Sequence, residues 1–109
     1  MPMLELREPD KRILAERKAV LLEKAKRACE YLRDLGAGEV YLFGSITRDD
    51  FHLHSDVDIA VSGLPFTHIY SVESKIGDIL GTEEFDLVYL EYTKGRVTNR
   101  IREQGVRIC

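Results

Sequence analysis

Asp56 and Asp58 stand one residue apart in the segment SDVDI, separated from Gly44-Ser45 by ten residues. On a strand, residues i and i+2 share a face, so the two carboxylates lie side by side while Val57 and Ile59 turn into the core. Anions held so close repel each other and need a cation. Magnesium prefers hard oxygen ligands from one or two carboxylates, completed by phosphate oxygens and water. Asp86 begins a later apolar segment, FDLVYL, and a neighbouring strand would bring it to the same metals. Three carboxylates can hold two ions that clamp the attacking and leaving oxygens of a phosphoryl or nucleotidyl transfer. Gly44-Ser45 supplies the complement: a glycine after a strand permits close backbone approach, and the amides of the following turn, with the Ser45 hydroxyl, can hold phosphate oxygens. Arg48 is close enough in sequence to reach the same phosphates.

Each feature alone has a commoner reading. A Gly-Ser is usually a turn, an Asp-x-Asp a solvated strand end, an arginine a surface charge. A Gly-Ser followed ten residues later by Asp-x-Asp, however, arises by chance on the order of once in a thousand chains of this size. His52 and His54 sit in the intervening loop, where histidines more often face solvent than do chemistry. The five tyrosines are scattered and read as core or surface residues rather than a base-stacking platform.

The elements that must position these groups follow from periodicity. Residues 10–35 place Leu14, Leu21, Ala25, Ala28, Leu32 and Leu35 on one helical stripe, with Asp10 as N-cap and Gly36 as the stop. A strand is expected at Glu39–Phe43, then a turn and short helix from Gly44-Ser45. A strand at Asp56–Ser62, a helix over about 67–80 and a strand at Phe85–Leu90 follow. A basic helix from about Lys94 to Gln104 and a short terminal strand complete the chain. The expected fold is α/β (α+β): a small mixed sheet with helices packed on one face and the acids at the other. One domain spans residues 1–109, with a catalytic core over about 38–92.

Charge sharpens the reading. Residues 1–35 carry 9 bases and 7 acids, residues 36–93 carry 2 bases and 11 acids, and residues 94–109 carry 5 bases and 1 acid. An acidic centre repels a nucleic-acid backbone unless metal ions intervene, so stable direct nucleic-acid binding is not expected. The terminal helix with Arg96, Arg100 and Arg102 is either a solvated face or a surface for an acidic partner or the nucleotide. No apolar run is long enough for a membrane helix or signal peptide, which implies a cytoplasmic protein. Cys29 and Cys109 lack metal-ligand spacing and secreted context, and a disulfide is not expected. Asn99 and Gln104 are the only side-chain amides in a chain that is 32% charged, a composition that hints at a thermophilic source.

With LFGS, Arg48 and SDVDI in place, the sequence resembles the minimal nucleotidyltransferases of the DNA polymerase beta-like superfamily, from Leu14 to the closing REQGVRIC. The resemblance implies Mg-dependent transfer of a nucleoside monophosphate, usually from ATP, to an acceptor hydroxyl. Asp56, Asp58 and Asp86 would hold two magnesium ions, with Asp86 also helping to deprotonate the acceptor. Gly44 and Ser45 would hold the terminal phosphates, and Arg48 and Ser55 would also bind the nucleotide. One departure stands near the phosphate site: relatives often have a glycine after the arginine, where this chain has Asp49-Asp50. Stand-alone members commonly serve as antitoxins to HEPN ribonuclease toxins, which implies AMP transfer to a hydroxyl of the partner protein. Alternatives are an antitoxin that silences its partner by binding alone, or a transferase acting on a small molecule or RNA.

Overall fold

The computed structural model describes residues 8–47, 57–82 and 84–109. The chain runs α1 (Glu8–Asp34), β1 (Glu39–Phe43), β2 (Val57–Ser62), α2 (Ile69–Leu80), β3 (Phe85–Tyr89), α3 (Gly95–Gln104) and β4 (Val106–Arg107), with short 3-10 turns at Ser45–Thr47, Phe66–His68 and Leu90–Tyr92. The four strands form one mixed sheet in the order β3-β2-β1-β4. β1 pairs antiparallel with β2 and with β4, whereas β2 and β3 are parallel. Parallel neighbours need a long crossover, and α2 supplies it.

The two faces of the sheet differ because side chains alternate along each strand. Val40 and Leu42 of β1, Val57, Ile59 and Val61 of β2, and Leu87 and Tyr89 of β3 share one core with α1 and α2. From α1 that core takes Leu21, Ala25, Ala28 and Leu32, with Leu14 at its margin. The two alanines keep the helix close to its neighbours. From α2 come Val72, Ile76 and Leu80, spaced by four residues as one helical stripe.

Leu35, expected to extend the α1 stripe, is instead 48% exposed. The helix ends at Asp34 and reverses through Gly36 at φ +111°. Gly36 N–H then donates to Arg33 O and Ala37 N–H to Leu32 O, a glycine-terminated helix end that turns Leu35 away from the sheet. At the other end the helix begins at Glu8, so Asp10 lies inside it rather than at its cap.

Two further expectations are corrected. α1 and α2 cover one face as expected, but α3 lies on the opposite face, where Ile101 packs with Tyr41, Ala60 and Leu90. A single buried isoleucine and the buried Thr98 leave too weak an apolar stripe for its side to be read from sequence. Cys29 and Cys109, for which the sequence predicts no disulfide, form one across 80 residues of sequence, with Cα atoms 6.3 Å apart. β4 returns the chain along the edge of β1, Ile108 packs against the core, and the last residue thereby reaches the buried side of α1.

Candidate active site

Gly44 directly follows β1, and its φ of +80° lies in the left-handed region that favours glycine. Thr47 closes the turn, its hydroxyl donating to Gly44 O at 2.7 Å and its N–H to the same oxygen at 3.1 Å. Ser45 opens the 3-10 turn. In the antiparallel register Phe43 faces Asp58, which brings this turn against the aspartate of β2. A Cβ on Gly44 would collide with the Asp58 carboxylate, falling 3.1 Å from its Cγ. The glycine therefore serves two needs at once: a backbone bend and room for a carboxylate.

Asp58 and Asp86 are direct register partners across the parallel β2–β3 pair. Paired residues on adjacent strands point to the same face about 4.8 Å apart, and here that face is the one shared with Gly44 and α3. Asp58 is half-buried and Asp86 exposed. Two carboxylates on one face beside a glycine turn form a hard-oxygen donor set suited to a divalent cation. Asp56, Arg48 and Ser55 lie outside the described residues, as do His52 and His54. Among the described residues no three ligating side chains come together; the pair Asp58 and Asp86 is what the fold assembles there.

The arginines of α3 divide into two roles. Arg102 is bound to Glu39 at the opposite end of β1, with Nε and Nη2 donating to the two carboxylate oxygens at 3.2 and 3.0 Å. Glu39 also accepts from the Tyr41 and Ser62 hydroxyls, each at 3.0 Å. Its carboxyl is held below the ordinary carboxylate value, first by the Arg102 hydrogen bonds and then by that from Tyr41. The Tyr41 phenol is pushed up, by burial first and by the neighbouring Glu39 second. This network pins α3 across the sheet.

Arg100, two residues earlier on α3, instead lines a cavity of about 180 Å³ with Phe43, Gly44, Thr47 and Gln104. Sequence alone left Arg96, Arg100 and Arg102 equivalent; the position of α3 over β1 separates them. A larger concavity, about 680 Å³, lies along α2 and the turn into β3. Tyr70, Glu73, Asp78 and Phe85 line it, and Phe85 belongs to the core side of the sheet, so this space is remote from the face that carries Asp58 and Asp86.

The sequence matches the family described as "Polymerase beta, Nucleotidyltransferase" over residues 19–109. The chain belongs to this nucleotidyltransferase family. Its structural likenesses agree. A toxin–antitoxin structure with AMP-PNP superimposes with a TM-score of 0.64 at 27% identity, covering 77% of this chain and 72% of the other. An MNT antitoxin complexed with the tri-AMPylated HEPN toxin of Shewanella oneidensis gives a TM-score of 0.62 at 23% identity, covering 82% and 71%. A minimal nucleotidyltransferase gives 0.61 at 22%, covering 88% and 92%. No curated protein matches the sequence. The nucleotidyltransferase fold explains why β1 and β2 must be antiparallel neighbours: only that pairing sets the glycine turn after one strand against an aspartate of the other.

Proposed function

We propose that this nucleotidyltransferase transfers AMP from ATP to a hydroxyl of a partner protein and serves as antitoxin to a HEPN ribonuclease in the cytoplasm. The observation that carries the reading is the register that sets Asp58 beside Asp86 and against Gly44 on one face of the sheet. The likeness to a toxin–antitoxin assembly with AMP-PNP supports both nucleotide and partner, and the AMP-modified toxin in the Shewanella assembly supplies the matching product.

Asp58 and Asp86, with Asp56, would hold magnesium, which would neutralise the triphosphate and the charge that develops during transfer. The backbone amides of the Gly44-Ser45 turn, the Ser45 hydroxyl, Arg48 and Ser55 would bind the nucleotide. In the reaction an acceptor oxygen attacks the α-phosphorus, the bond to the β-phosphate breaks, and pyrophosphate leaves. The acceptor proton passes to a carboxylate, for which Asp86 is exposed on the open edge strand β3. A folded partner brings its own acceptor into line, and orientation is a large share of what such a transferase provides. Stable cytosolic disulfides occur mainly in hyperthermophiles, the direction in which the charge-rich, amide-poor composition also points.

Mass spectrometry of the partner co-expressed with this chain tests the proposal. One or more added AMP units are expected with the wild type and none with Asp56→Ala/Asp58→Ala. A partner that stays unmodified yet is fully silenced would show neutralisation by contact alone.

A further inference from the structure

The cavity between α3 and the Gly44 turn has a composition that sets it apart in this acidic chain. Residues 36–93 carry 11 acids against 2 bases, yet no carboxylate lines this cavity among the described residues, and Arg100 and Gln104 do. Arg100 has a neighbour, Arg102, that is committed to Glu39; Arg100 itself forms no ion pair among the described residues. Because the Glu39–Arg102 contact and buried Ile101 fix α3 on the sheet, Arg100 is presented to the glycine turn by an anchored helix rather than by a loop.

Across the sheet the order is Asp86 on β3, Asp58 on β2, then Phe43 and Gly44 at the end of β1, and beyond them the cavity. Nucleotidyl transfer occurs at the α-phosphorus, so that phosphate belongs at the acids. A triphosphate that continues past Gly44 then carries its last phosphate farthest from Asp58, into the cavity. A planar guanidinium matches phosphate oxygens with two parallel donors, the Gln104 amide adds N–H donors, and about 180 Å³ has room for the group and water.

We propose that Arg100, assisted by Gln104, completes the terminal-phosphate subsite beside the Gly44 turn, and so selects nucleoside triphosphate over diphosphate and monophosphate. This rests on the nucleotidyltransferase reading above. The test is calorimetry with Mg²⁺ and AMP-PNP, ADP or AMP, on wild type, Arg100→Ala, Arg100→Lys, Gln104→Ala and Asp58→Asn, each first checked for a wild-type circular dichroism spectrum and melt. Arg100→Ala should weaken AMP-PNP on the order of tenfold, the loss of one charge-assisted contact, while ADP and AMP bind as to wild type. Arg100→Lys should recover part of the loss, and Gln104→Ala should show a smaller one. Equal AMP-PNP affinity for wild type and Arg100→Ala overturns the subsite, and so does an equal loss for all three nucleotides, which would place Arg100 at the nucleoside. If Asp58→Asn binds AMP-PNP as wild type does, the nucleotidyltransferase site itself is misplaced, a failure separate from that of Arg100.

Discussion

The two faces of the sheet are built from the same three strands yet serve opposite ends. On one, Val40, Leu42, Val57, Ile59 and Val61 are sealed under α1 and α2 with at most 1% exposure. On the other, the partly exposed Asp58 and the exposed Asp86 share the surface with Tyr41, Ala60 and the single helix α3. β2 takes part in both: Val57 and Ile59 anchor it in the dry core, and Asp58 between them is therefore held with little freedom to tilt or slip. A one-residue slip would exchange the faces. The core thus fixes the direction of the acid, and the sparsely covered face leaves it open to ligand.

Changes on the two faces should separate activity from stability. The largest effect is expected from Asp58→Asn, which should reduce AMP transfer by at least about a hundredfold, because the site loses a charge that no neighbour replaces. The same change keeps the side chain's size and its capacity to accept hydrogen bonds, and should leave the melting temperature close to that of wild type. A marked fall in melting temperature would mean that Asp58 belongs to the scaffold. One position away, Ile59→Ala should do the reverse: lower unfolding stability by about 3 kcal/mol in urea titration, through lost burial and a cavity, with activity per folded molecule retained at low temperature.

Gly44→Ala lies on the border between the two effects. It forces a Cβ into a left-handed turn, at a cost of about 1 kcal/mol, and pushes aside the Asp58 carboxylate. AMP-PNP affinity should fall about tenfold by calorimetry, the equivalent of one well-placed contact, with only a slightly lower melting temperature. The smallest effect belongs to Glu39→Gln, which weakens the attachment of α3. Glu39 has a folded pKa below its ordinary value, so its contribution to stability is present above the usual carboxylate range and is lost as pH falls through the folded pKa. The melting temperature of the variant should lie modestly below wild type at neutral pH, and the gap should close as pH falls through and below the usual carboxylate range.

Much of the scaffold face could be read in the sequence, because strand alternation around Val57, Ile59 and Val61 and the spacing of Leu21, Ala25, Ala28 and Leu32 are strong periodic signals. The acids were found because Asp58 interrupts the apolar run of β2 at the position that faces away from that core, and Asp86 does the same in β3. What sequence did not show depends on long-range placement. Leu35 fits the helical spacing but lies beyond the helix end. Cys29 and Cys109 meet only because β4 returns along β1. Arg100 and Arg102 look alike until Glu39, 63 residues away from Arg102, takes one of them. Asp56, Arg48 and Ser55, expected at the site, lie outside the described residues.

Paramagnetic broadening of amide NMR signals by Mn²⁺ with AMP-PNP would test most directly whether the metal-nucleotide site is on the acid face. Mn²⁺ is the probe because it accepts the same oxygen ligands as magnesium. Signals of Gly44, Asp58 and Asp86 should vanish at substoichiometric metal while those of the first half of α1, such as Arg17 and Val20, persist, and Asp58→Asn should restore the lost signals. Broadening centred instead on Glu73 and Asp78, in the concavity along α2, with Gly44 and Asp58 untouched, would contradict the assignment of the site.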